Sequence, residues 1–140
     1  MKIAIIGAGN LGLSITKGLI VNNAFTTLYL TKRNAEELQE YEEYSKVTVT
    51  KDNREAVQNS DILVFAVQPT QMERILEEIK DQLTGKHVLI STVTGFKIAS
   101  MEAIVGQDQF IVCSMPNTAI AVGKSMTFAR HAVLHMIGRK

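Results

Sequence analysis

The stretch Gly7-Ala8-Gly9-Asn10-Leu11-Gly12 sets glycines at the spacing G-x-G-x-x-G. It directly follows the apolar run Lys2–Ile6 and opens a helical stripe of Leu11, Ile15 and Leu19. Glycine spacing alone is common in turns. A glycine turn that leaves a buried strand and enters a helix is much more restrictive. In such a unit Gly7 permits the tight turn, Gly9 lets the backbone approach a pyrophosphate, and Gly12 allows close helix–strand packing. The unpaired amides and positive dipole end of the helix then attract phosphate. A dinucleotide site is expected along Gly7, Ala8, Gly9, Asn10, Leu11 and Gly12.

The rest of the chain repeats this alternation of strand and helix. Thr27–Leu30, Val47–Thr50, Asp61–Val67, His87–Val93 and Gln109–Met115 read as further strands, with Asp61–Val67 the strongest central one; Ser125–Ala129 reads as a last, weaker strand. Helices are expected over Ala35–Tyr44 with Asn34 as N-cap, over Asp52–Asn59, from Met72 to Leu83 ending at Gly85, and over Ile98–Val105. Short connections between alternating strands and helices imply a mainly parallel sheet with helices on both faces. The fold class is therefore α/β, Rossmann-type and doubly wound.

Composition narrows the remaining classes. The chain has 140 residues, 46% hydrophobic and 21% charged, which fits a single globular domain and not a disordered chain. Lys+Arg 15 against Asp+Glu 14 leaves a net charge of +1, without the broad basic footprint of a nucleic-acid binder. No apolar run is long enough for a membrane span, and the N-terminal run meets Gly7 too early for a secretory segment. Cys113 is alone, so no intrachain disulfide forms and a reducing cytosol is the expected home. In its apolar strand Cys113 is expected to act as a small buried hydrophobe.

The end of the second strand bears on which dinucleotide binds. An NAD-selective site usually carries Asp or Glu there to bond the ribose 2′-hydroxyl. This chain reads Tyr29-Leu30-Thr31-Lys32-Arg33-Asn34, with no acid. Thr31 can hydrogen-bond a phosphate, and Lys32 and Arg33 can neutralise one, so NADP(H) is expected over NAD(H). The acidic residues Glu36, Glu37, Glu40, Glu42 and Glu43 read as a solvated helix face without chemistry.

Several segments together resemble the pyrroline-5-carboxylate reductase family. They are the opening Ile-Gly-Ala-Gly-Asn, then Asn53-Arg54-Glu55-Ala56-Val57 leading into Ser60–Pro69, and Ser114-Met115-Pro116-Asn117-Thr118. The resemblance runs from Met1 to about Arg130. It implies NADPH-dependent reduction of 1-pyrroline-5-carboxylate to L-proline, a small cyclic imino acid being the partner. It also implies that Asn53 lies along the adenosine half and that Ala66, Val67, Gln68 and Pro69 pass the nicotinamide side. Thr94 and Gly95 would stand near the nicotinamide, and Met115, Pro116 and Asn117 would wall the reacting ring. The family usually has Lys where Gln68 stands and often Ala where Gly12 stands. It continues into an all-helical domain that makes an intertwined dimer and binds substrate. That domain is expected to be absent here, residues 131–140 forming a divergent tail, so a homo-oligomer is compatible with the chain but not read from it.

Hydride transfer needs no protein nucleophile or metal, because the cofactor carries the chemistry. No general acid and no catalytic residue stands out in the sequence. His131 and His135 have a spacing compatible with metal ligation, yet no further ligand accompanies them, and no metal site is expected. Three readings compete: a cofactor domain of a proline-pathway reductase, a different short NADP-dependent reductase on the same domain, and a free-standing NADP-binding module without catalysis. The motifs favour the first; the length favours the third only for a natural, complete chain.

Overall fold

A computed structural model describes residues 2–22, 25–93 and 95–113. The predicted strand Ser125–Ala129 and the histidines at 131 and 135 lie outside the described residues, as does the side chain of Cys113. The elements are β1 (Lys2–Ile6), α1 (Asn10–Asn22), β2 (Thr27–Thr31), a 3-10 segment (Ala35–Glu43), β3 (Val47–Thr50), α2 (Asn53–Gln58) and β4 (Ile62–Phe65). They continue with α3 (Pro69–Ile79), a 3-10 turn (Lys80–Gln82), β5 (Val88–Ser91), α4 (Ile98–Val105) and β6 (Phe110–Cys113).

The strands form one six-stranded sheet in the order β3-β2-β1-β4-β5-β6, and every neighbouring pair is parallel. The expected α/β doubly wound architecture is present. Alternation of side chains along each strand explains the near-continuous apolar runs. In β1, Ile3 and Ile5 join one core with Ile15 and Leu19 of α1 and Leu38 and Tyr41 of the 3-10 segment. Ala4 and Ile6 point the other way, into a core with Ala56 and Val57 of α2, Met72, Ile75, Leu76 and Ile79 of α3, and Met101 of α4. The central strands β1 and β4 are apolar almost throughout because both of their faces are covered.

Chain order reverses at β1, which pairs with β2 on one side and with β4 on the other. Open parallel sheets bind ligands beyond the carboxyl ends of their strands at such a switch point. The register brings particular residues there. Ile6 stands opposite both Thr31 and Phe65, and Thr31 stands opposite Thr50. The residues that follow each strand, Gly7, Lys32, Lys51 and Ala66, therefore emerge at one edge of the sheet.

Three local expectations change. The segment after Asn34 winds as a 3-10 helix over Ala35–Glu43, and the Asn34 side chain makes no capping bond. Its buried residues, Leu38 and Tyr41, are three apart and share one face at a period of three. Acidic Glu42 and Glu43 at its end oppose the dipole that an α-helix would build. Leu11 begins the α1 stripe in sequence but is 36% exposed, because the stripe meets the sheet only from Gly12 and Ile15 onward. The helix expected to run on to Gly85 closes instead at Ile79, with a 3-10 turn beyond it.

Candidate cofactor site

The glycine turn is held almost entirely by its own backbone and by the end of β2. The Ala8 N–H donates to the Thr31 carbonyl at 2.8 Å, and the Gly9 N–H donates to the Gly7 carbonyl at 2.9 Å. The Gly7 N–H donates to the Thr31 hydroxyl oxygen at 3.2 Å. The first α-helical bond runs from the Leu13 N–H to the Gly9 carbonyl at 2.8 Å. The amides of Asn10, Leu11 and Gly12 consequently have no partner among the described residues, as the first turn of a helix requires. They form a set of donors suited to phosphate oxygens, with the helix dipole behind them.

The glycines divide their work. Gly7 takes φ +88°, and a Cβ there would lie 2.3 Å from Val67 Cγ1 and 3.0 Å from the Ala66 carbonyl oxygen. At Gly12 a Cβ would come within 2.6 Å of the Gly7 carbonyl oxygen. Gly9 has open space around the same position, with no atom within 4 Å. Gly7 and Gly12 are thus required by packing, whereas the bare face at Gly9 offers room for a ligand to approach.

Beside the turn lies a cleft of about 180 Å³ that brings together Gly7, Thr31, Lys32, Arg33, Asn53 and Val67. It is smaller than the ~300–1,000 Å³ typical of pockets for drug-sized ligands, so it suits one end of a dinucleotide. Lys51, Gln71 and Arg74, which sequence reasoning missed, also border it. Lys51 follows the last residue of β3, and only the β2–β3 register shows that it stands beside Lys32. Arg74 lies in the helix after β4, where spacing marks it as an ordinary polar position.

The cleft is electropositive. Glu78 borders it, but the bordering cations are Lys32, Arg33, Lys51 and Arg74. Lys32 pairs with Glu37, which also accepts a bond from Asn34 Nδ2 at 3.4 Å. The hydrogen bond from Lys32, and then its charge, hold the Glu37 carboxyl below its ordinary value of 4.5. The acidic face read as inert therefore supplies Lys32 with a counter-charge. Among the described residues Arg33, Lys51 and Arg74 have no ion-pair partner.

Other predicted positions are arranged around this centre. Ala66 ties the β4 end to β1 by donating its N–H to the Ile6 carbonyl at 2.9 Å. Gln68 sits at the N-cap of α3 without a side-chain capping bond, and Pro69 opens that helix. Gly95 lies in an exposed turn after β5 at φ +87°. Thr94, Met115, Pro116 and Asn117 lie outside the described residues. Among the described residues no three His, Cys, Asp or Glu side chains gather as a metal site.

Fold and site together define a nucleotide-binding domain of the doubly wound, Rossmann-like class. Residues 2–95 match the family described as NADP oxidoreductase, coenzyme F420-dependent, and the chain belongs to that family. It is 38% identical over 130 residues to pyrroline-5-carboxylate reductase 2 of Dictyostelium discoideum, covering 90% of this chain and 44% of that protein. Among solved structures, a pyrroline-5-carboxylate reductase from Coxiella burnetii superposes with a TM-score of 0.77 at 36% identity, covering 84% of this chain and 44% of the other. A pyrroline carboxylate reductase from Plasmodium falciparum with NADP bound superposes with a TM-score of 0.70 at 26% identity, covering 88% and 44%. The chain thus spans less than half the length of these relatives. No helix among the described residues is long and apolar enough to cross a membrane.

Proposed function

We propose that residues 1–130 are the NADP(H)-binding domain of a pyrroline-5-carboxylate reductase, followed by a divergent tail at 131–140. The similarity to relatives of that name supports the reading, since it extends over 130 residues, beyond the 2–95 span of the family match. The observation that carries the cofactor choice is the cationic cleft beside the ends of β2 and β3, which sets Lys32 and Arg33 where an NAD site would carry an acid and adds Lys51 and Arg74 beside them.

When bound, the dinucleotide supplies a hydride to the imine carbon while the ring nitrogen keeps or takes a proton, giving L-proline. The chain's own residues bind and orient. The amides of Asn10, Leu11 and Gly12 hold the pyrophosphate, Lys32 and Arg33 meet the 2′-phosphate, and Asn53 lies along the adenosine. Ala66 to Pro69 and Gly95 border the nicotinamide side, with Thr94, Met115, Pro116 and Asn117 completing it. The single cysteine supports a cytosolic location.

A second reading, an NADP-binding module without turnover, draws on a site built from backbone amides and cations. Titration of NADPH and NADH, followed by cofactor fluorescence, tests both, with saturable binding and NADPH favoured as the expected result. Absence of saturable binding with either overturns both readings. Pyrroline-5-carboxylate turnover by the chain joined to a relative's helical domain separates them: turnover supports the reductase, and tight NADPH binding without turnover supports the module.

A further inference from the structure

Thr31 stands in the sequence as a phosphate ligand, but its surroundings give it other work. It is 2% exposed. Its hydroxyl oxygen accepts the Gly7 N–H at 3.2 Å, and its carbonyl accepts the Ala8 N–H at 2.8 Å. One residue at the end of β2 therefore holds two successive amides of the turn that leaves β1. The register makes this possible, because Thr31 lies directly opposite Ile6. Gly7, at φ +88°, is the point where the chain changes direction toward α1. With the Gly7, Ala8 and Gly9 amides all tied inside the protein, the amides of Asn10, Leu11 and Gly12 are left to meet a ligand.

We propose that Thr31 is a positioning residue of the pyrophosphate site: its hydroxyl anchors the Gly7 amide and so sets the direction of the free amides at the start of α1. The 2′-phosphate is then recognised by the cleft cations Lys32, Arg33, Lys51 and Arg74, not by Thr31. The idea rests on the cofactor reading above and refines how that site is built. A valine in this place matches the shape of threonine but leaves the part-buried Gly7 N–H without its acceptor.

The test compares probes that share the pyrophosphate and differ only in the 2′-phosphate, namely NADH and NADPH, titrated into the wild-type chain, Thr31→Val and Thr31→Ser. Thr31→Val is expected to weaken both probes by the same factor, about tenfold. Thr31→Ser, which keeps the hydroxyl, is expected to restore both. In the wild-type chain without ligand, the Gly7 amide is expected to resist hydrogen exchange, a readout that needs no variant to fold. A loss confined to NADPH would make Thr31 a 2′-phosphate ligand and overturn the proposal. Unchanged binding in Thr31→Val, or a rapidly exchanging Gly7 amide, would overturn it too. A wild-type chain that binds neither probe would remove the cofactor reading itself, which separates that failure from the failure of the Thr31 role.

Discussion

Replacing Gly7 with alanine tests the geometry of the turn most directly. The new Cβ meets Val67 Cγ1 at 2.3 Å and the Ala66 carbonyl oxygen at 3.0 Å, in a backbone held at φ +88°. The left-handed conformation costs an L-residue roughly 1–2 kcal/mol. Forcing a methyl into a packed site costs about 1–3 kcal/mol more. Val67 can rotate to relieve the shorter contact, but the Ala66 carbonyl is backbone, in a residue whose N–H is bonded to the Ile6 carbonyl of β1. Against these terms stands a gain of about 0.4–1 kcal/mol from the reduced freedom of the unfolded chain. The penalty wins, leaving Gly7→Ala about 1–4.6 kcal/mol less stable, a drop of roughly 3–18 °C in Tm for a domain near this size. Gly9→Ala is the control, since nothing lies within 4 Å of its Cβ position. It should melt within about 2 °C of wild type, in line with a surface change of at most ~0.5 kcal/mol, yet bind NADPH several-fold more weakly. Scanning calorimetry of both variants, with cofactor titration of Gly9→Ala, provides the measurement. A Gly7→Ala chain that melts with the wild type would refute the argument that packing, not ligand approach, requires that glycine.

Further outcomes follow from the charges and caps. Replacing Lys32 and Arg33 together with alanine should weaken NADPH at least tenfold more than NADH, as expected for charge-assisted contacts worth about 1.5–3 kcal/mol; equal losses would dismiss the 2′-phosphate assignment. Glu37 should titrate below 4.5, because the Lys32 hydrogen bond and charge favour its ionised form. The support it lends the folded state is present above its unfolded pKa and is lost as pH falls through the lower folded value. A carbon-detected NMR titration of Glu37 that gave an ordinary or raised value would disprove that pairing. Asp52 caps α2 by accepting the Arg54 N–H at 2.9 Å, so Asp52→Ala should cost about 1 kcal/mol in urea unfolding. An unchanged midpoint would argue against the cap. His87 accepts the Thr84 N–H on Nδ1 at 2.9 Å and donates from Nε2 to the Val57 carbonyl at 3.0 Å. His87→Leu leaves the buried Val57 carbonyl without its donor, Thr84 being exposed to water, and should cost roughly 1–3 kcal/mol; a loss below half a kcal/mol would show that these bonds contribute little.

By itself the sequence determined the elements whose signals are local. The strand–glycine–helix unit from Lys2 to Asn22 is written in spacing, because a nearly unbroken apolar run, a turn of glycines and a period near four succeed one another without gaps. The parallel, doubly covered sheet was legible for the same reason: runs such as Ile62–Phe65 are apolar at every position only when both faces are buried. Tertiary structure decided what depends on residues far apart along the chain. Lys51 and Arg74 reach the cleft beside the glycine turn through strand order and helix crossing, neither of which leaves a mark in local spacing. Glu37 belonged to an acidic run with no evident partner until the 3-10 segment brought it to Lys32. Thr31 was legible as a residue at the end of a strand, but its task depends on lying opposite Ile6, where its hydroxyl finds the Gly7 amide. Period and composition specify which face of an element is buried; only the register between elements specifies which polar group meets which.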